Sequence, residues 1–447
     1  MKRMSVLAAI AGWTVVGAQI ARADPPGSSW QLVFDDEFDG TELDPNLWTI
    51  HTGARRDAIN TADAISVADG NLTITTCTSG GSHYTGFIST RNSFLGTFGY
   101  WEASIRFEDA SGMWSAFWMQ SPTMGNPIGD PATAGAEIDI VEHRFVDSAG
   151  ADISNKAQHT LHWDGYGSAH RSVASLNNNP GPIPLQGNFH TYGVLWTPAG
   201  YQFFVDGIWR WSTSQGLSQR SEFIYVTSEV MNNSWAGPIP PGGYGERDQS
   251  QVQMTVDWVR VWQRPLYGTD IGSVSLPGSD DLDDMGTWTV RGAGDIWGSS
   301  DRCHFVGLPI VGDGWIFAQV SGIDNPDPDA KAGLMIRESL ASNATNATLF
   351  LKAGGRLELQ SRIATGDVTT APFSTPDIAA PYGIYLERAG DDFNAWSTAD
   401  YASWDYLGSV NIPMASRVYI GLAVSNHYAP QINTSYFDYV TGSFAAP

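Results

Sequence analysis

Ala136-Glu137-Ile138-Asp139-Ile140-Val141-Glu142-His143 sets three acids among β-branched residues. Such a mix favours a strand over a solvated charge run. On a strand, alternate side chains share a face. Glu137 and Asp139 therefore point one way, and Ile138 and Ile140 the other. Strict alternation would turn Glu142 into the core. One extra residue near Ile140-Val141, a β-bulge, returns it to the acidic face, and bulges often sit beside active sites. The expectation is a kinked strand with three carboxyl groups on one side.

That pattern has a chemical use. Retaining glycoside hydrolysis needs two carboxyl groups about 5–5.5 Å apart, one attacking and one protonated. Two long Glu side chains leaning together over a concave sheet can close that gap, with Asp139 between them. Packed acids cannot all ionise easily, so their pKa values split. Taken alone, the residues also allow a calcium-binding carboxylate row or an acidic surface strand.

Outward from this segment, the chain is a succession of short strands. Asn71 to Thr75, Trp101 to Phe107, Thr191 to Trp196, Gln202 to Val205 and Thr255 to Trp262 alternate or run apolar, separated by turn signals such as Asp69-Gly70 and Asp206-Gly207. This reads as an antiparallel sandwich. Pro265 to Gly278 forms a boundary, after which the patterning resumes at Gly286 to Val290, Trp315 to Val320, Ala347 to Leu351 and Val418 to Val424. The fold class is all-β, with domains at 24–266 and 267–447. The Pro/Gly-rich stretches 177–184 and 237–245 read as long surface loops of the kind that rim clefts.

Residues 1–23 read as a secretory signal peptide: Lys2 and Arg3, an apolar run from Val6 to Val16, then Ala21-Arg22-Ala23. A secreted protein, cleaved near Ala23, is expected. No later stretch is long and apolar enough for a membrane helix. The net charge of −23 in 447 residues argues against nucleic acid and anionic membranes as partners. Cys77 and Cys303 fall on opposite sides of the boundary and are expected to be separate thiols. A monomer is expected.

The segment and its flanks resemble glycoside hydrolase family 16 in its bulged E-x-D-x-x-E, laminarinase-like form. The resemblance covers nearly all of residues 30–264. Phe34 to Gly40, Phe98 to Ala103, Gly112 to Met119, Phe189 to Tyr192, Phe204 to Gly207 and Val256 to Trp262 match family segments in the family's order. It implies a jelly-roll sandwich with a concave cleft. It makes Glu137 the nucleophile, Asp139 its assistant and Glu142 the acid/base, with no catalytic cofactor. Trp114 and Trp118 share a strand face, and the family floors its cleft with such rings. Gln158, Thr160 and His162 share another, which the family aims into the cleft toward the substrate; His162 could hydrogen-bond a sugar or orient Glu142. Trp163, Tyr166 and Trp235 fall on expected rim loops as outer subsites. A structural calcium on the convex face is implied at Glu37 and Asp257. Ser115 in place of the usual Pro, His143-Arg144 after the last acid, and the 158–167 segment depart from the pattern and leave the sugar open. A polysaccharide substrate is implied, a β-1,3- or mixed-linkage glucan first. The alternatives are a galactan of the agar or carrageenan type, or binding without catalysis. Gly294 to Gly298, Ala332 to Glu338 and Tyr419 to Val424 resemble a concanavalin-like sandwich found as an appendage on secreted proteins.

Overall fold

The structure, a computed structural model, describes residues 25–175, 185, 187–324, 327–428 and 430–444. The leader at 1–23 and the loop expected at 177–184 lie outside the described residues. No described helix is long and apolar enough to cross a membrane.

Four large antiparallel sheets carry the fold, in two stacked pairs. The first pair joins an eight-stranded sheet to a seven-stranded one. The eight-stranded sheet is built around Gly99–Arg106, His190–Thr197 and Gln253–Gln263. The seven-stranded sheet runs in the order Arg171–Ala174, Gln158–Trp163, Glu137–His143, Met113–Gln120, Phe223–Val230, Phe87–Ser89, Thr49–Ile50. Inward side chains of both sheets meet in one core, which includes Trp101, Trp196, Phe117, Ile138 and Leu161. Truncating a buried ring of that size costs about 3–5 kcal/mol, so these side chains hold the sheets face to face.

The second pair begins at Tyr267–Ile271 and has its own core, with Ile316, Leu334, Leu349, Ile384 and Ile420. The two sandwiches touch through apolar and polar contacts: Tyr267 packs into the first core and Leu308 against both. Arg264 pairs with Asp280 at 2.6 Å, and Gln219 donates to the Tyr419 hydroxyl at 2.7 Å. Cys77 and Cys303 are both buried free thiols.

The strand Glu137–His143 is buried along its whole length. Its pairing slips by one residue: Phe117 faces Val141, yet the next residue, Trp118, faces Asp139. On the other edge, Asp139 faces Thr160 and Glu142 faces Gln158. Ile140 is thus the extra residue, and the bulge stands where alternation required it. Ile138, Ile140 and Val141 all pack into the core. Trp163 corrects an expectation. It ends the strand Gln158–Trp163 and is buried in the core, where Gly216 (φ +62°) makes room for it. It is not on a rim loop.

Candidate active site

The seven-stranded sheet floors an open pocket of about 470 Å³, and Glu137, Asp139, Trp114, Trp118, Arg55 and Glu229 are among the residues lining it. Glu137 and Asp139 line it directly, and Glu142, on the same strand, lies behind Trp114, which also lines it.

Glu137 sits nearest the opening. The hydroxyl of Tyr166 donates to it, as does Gln120 Nε2 at 3.0 Å from Oε2. Glu142 lies deeper. It accepts from Trp114 Nε1 at 3.1 Å and from the Thr160 hydroxyl, with Gln158 Nε2 at 3.4 Å. Asp139 is buried between them, and its Oδ2 has no hydrogen-bond partner among the described residues. Burial raises all three carboxyls: Glu137 and Glu142 to about 7, and Asp139 well above its ordinary value. Mutual repulsion adds to burial for Glu137 and Asp139. Near neutral pH the cluster therefore holds protons, so one carboxyl can donate while another is ionised.

Trp114 is half-buried at the floor. Arg56 lies 4.6 Å over its ring, and Trp235 meets it edge-on at 5.0 Å. Trp118 also borders the pocket, but its Nε1 is bonded to Thr227 and its ring packs on Tyr225 at 4.2 Å. Gln158 and Thr160 stand behind Glu142, bonded to it and to each other at 3.1 Å. They position the acid and do not line the pocket. Of the two roles expected of it, His162 does not fill that of orienting Glu142. It faces Asp139 at 3.6 Å and Glu137 at 3.9 Å, not Glu142. Burial, with help from His170, lowers its pKa to about 4, so the ring is neutral. Trp235 is partly covered, with Arg144 3.8 Å over its ring. Tyr166 does more than rim the cleft, through its bond to Glu137.

Glu37 and Asp257 do not join the site; they belong to the opposite side of the sandwich, beside Arg260. Arg260 forks onto Glu37, Nε to Oε1 at 2.6 Å and Nη2 to Oε2 at 2.7 Å. The guanidinium takes both oxygens that a cation would use. Calcium needs six or more oxygens. Glu37 so engaged does not fit that ion and is better described as one half of an Arg–Glu clamp.

Sequence reasoning missed Glu229 and its two arginines. Arg55 Nε meets Glu229 Oε1 at 2.5 Å, and Arg56 holds the other oxygen. One signal was available: Tyr225, Thr227 and Glu229 alternate on one strand, so they share a face. All three line the pocket.

A family 16-type jelly-roll sandwich with an acid triad in its cleft is the class of protein that this fold and site define. The family described as β-porphyranase A–D, GH16 domain, matches residues 30–264, just over half of the chain. The chain belongs to glycoside hydrolase family 16. Among curated relatives, "Endo-1,3-1,4-beta-glycanase EglC" of Rhizobium meliloti is 30% identical over 212 residues, covering 45% of this chain and 40% of that protein. "Beta-porphyranase E" of Zobellia galactanivorans is 25% identical over 261 residues, covering 53% of this chain and 89% of that one. The crystal structure of porphyranase B from the same organism is similar at 24% identity and TM-score 0.43, over 52% of this chain and 92% of that chain. The chain spans about two-fifths of the length of the first curated relatives it matches.

Proposed function

We propose that the chain is a secreted, retaining endo-hydrolase of a β-linked polysaccharide, with Glu137 as nucleophile, Asp139 as its assistant and Glu142 as acid/base. The observation that carries the reading is the bulged strand, which turns three acids to one face of an open cleft. In the first step, Glu142 gives its proton to the glycosidic oxygen as the bond from that oxygen to C1 breaks. The Glu137 carboxylate bonds to C1 and the leaving chain departs. In the second, Glu142 takes a proton from water, the water oxygen bonds to C1, and the Glu137–C1 bond breaks. Two inversions retain the configuration. Gln120 and Tyr166 donate to Glu137 and hold its oxygens in place. Asp139, buried and short of a partner, can share a proton with Glu137. Trp114 offers a flat ring to the apolar face of a sugar.

A β-1,3- or mixed-linkage glucan is the first substrate reading, supported by the name of the EglC relative. A second reading has its own support. Arg91 lines the cleft of a chain whose net charge is −23, beside Arg55 and Arg56, which are paired with Glu229, and guanidinium groups suit sulfate esters. The β-porphyranase description of the matching family supports the alternative substrate, a galactan of the agar or carrageenan type. The leader at 1–23 supports export, and residues 267–447 act as an accessory, concanavalin-like module in a monomeric enzyme.

A reducing-end assay across laminarin, mixed-linkage glucan and sulfated galactans tests the reading, with product anomers followed by NMR. Oligosaccharides of retained configuration are expected from one class. Glu137→Gln and Glu142→Gln are each expected to lower turnover at least about 10³-fold. Wild-type rates in both variants would remove the site assignment.

A further inference from the structure

The outer face of the second sandwich carries a row of rings that the hydrolase site does not use. The strands Gly314–Asp324, Tyr382–Ala389, Asp392–Thr398 and Asp405–Asn411 are neighbours in that order. Their registers set Phe317 opposite Tyr385, Tyr385 opposite Trp396, and Trp396 opposite Tyr406. The row crosses four strands, about 14 Å at the usual strand spacing. Ile316, Ala318, Ile384, Leu386 and Ala395 fill the core beneath, so the row faces away from it. Trp315 stacks on Tyr385 with centroids 5.5 Å apart, and Trp404 meets Phe317 edge-on at 5.8 Å.

Cross-strand aromatic pairing alone stabilises a sheet. It accounts for Tyr385 and Trp396 but not for the rings left in water. With the whole chain present, Tyr439, which joins the row through Tyr401 (6.3 Å from Tyr439 and 6.2 Å from Phe317), is 70% exposed, Tyr406 57% and Trp404 45%. Clustered exposed apolar surface of this kind marks an interaction site.

Charge selects the occupant. The face and its rim carry Glu387, Asp400, Asp405 and Asp438. The four strands contain one cation, Arg388, which is buried and donates to the carbonyls of Met414 and Ala415. An anionic polymer would be repelled, and so would a second copy of the same acidic face. A pyranose polymer without charge suits it: C–H faces lie on the rings, while hydroxyls reach polar groups such as Asn394, which donates to Glu387 at 3.3 Å. We propose that this face is a second glycan site, binding an uncharged polysaccharide along the Phe317–Tyr385–Trp396–Tyr406 row.

The proposal goes beyond the hydrolase reading and does not depend on turnover. Its test is affinity gel electrophoresis of the full chain in laminarin and mixed-linkage β-glucan. Glu137→Gln with Trp114→Ala keeps the polymer intact and weakens the cleft's own grip. In that background, Tyr406→Ala with Tyr439→Ala removes two exposed rings that bear little on the core, and an unchanged melting temperature checks the fold. Retention is expected to weaken about tenfold, the scale of losing an aromatic anchor. Retention that ignores these substitutions, or is weakened by them only in gels of sulfated galactan, overturns the proposal. Loss of a dimer in sedimentation, with retention unchanged, overturns it too. Platform-dependent retention by a chain that hydrolyses nothing would remove the hydrolase reading and leave this one standing.

Discussion

Glu142 must release a proton and later take one back, so its surroundings set the pH range in which it works. Burial raises its carboxyl to about 7, while the Thr160 hydroxyl, Arg144 and Trp114 favour the ionised form and Glu229 opposes it. Two substitutions should move the alkaline limb of kcat/KM in opposite directions. Thr160→Val removes a donor to the ionised form, so the acid keeps its proton to higher pH and the limb moves up. Glu229→Gln removes a negative charge that raises all three acids, and frees Arg55 and Arg56 from their pair. Both changes favour ionisation, so the limb moves down. A pH–rate profile for each variant reads the sign, and limbs shifting together would discard the account. The triad itself was legible because its three acids interrupt an apolar strand within six residues. Glu229 was not, because its meaning depends on Arg55 and Arg56, which only tertiary structure brings to it.

At the scale of the element, the bulge is what lets one strand serve the core and the cleft together. Ile140 and Val141 both pack inward, and the acids on either side stay outward. Deleting Ile140 restores strict alternation. Val141 then takes the inward place after Asp139 and Glu142 keeps the cleft face, while the core loses the Ile140 side chain. Turnover should stay within about tenfold of wild type, a change of about 1.4 kcal/mol in the barrier, and stability should fall by about 2–5 kcal/mol, the cost of removing a buried Ile side chain. Activity assays and urea unfolding read the two effects; a folded deletion variant without turnover would show that parity alone does not aim Glu142. Parity made this kink legible, since apolar and acidic residues could share the strand in no other way. Parity could not place Trp163, whose burial depends on Gly216, far along the chain. Gly216→Ala sets a Cβ 2.5 Å from that ring and strains a residue at φ +62°. It should cost about 2 kcal/mol or more. Nor could it foresee that Arg260 would claim Glu37, because opposite charges on neighbouring strands and a shared cation leave the same mark in sequence.

Across the whole molecule, the first sandwich carries more buried acid than its chemistry uses. Burial raises Glu102 and Glu222 to about 8 and Glu108 to about 7, in addition to the triad. Each is protonated in the fold at pH values where the unfolded chain, with carboxyls near 4.3, has already ionised. Between those limits the native state binds more protons than the unfolded state, so stability falls as pH rises. The window runs from about pH 4.5 to about 8, and each group contributes a slope on the order of 1 kcal/mol per pH unit within it. The sign is opposite to that of a protein held by salt-bridged carboxylates, which loses stability on acidification. His304, raised by Asp270 and Asp280 over the effect of its own burial, adds in the same direction. Thermal melts should therefore give a higher Tm at pH 5 than at pH 8. Glu222→Gln keeps the shape and the bond from the Ala136 N–H, but removes the titrating proton. The variant should lose part of the pH dependence and be more stable than wild type at pH 8. A Tm that climbs from pH 5 to pH 8, or a Glu222→Gln chain that melts lower at pH 8, would mean that these carboxyls are ionised in the fold and paired by groups other than those seen around them.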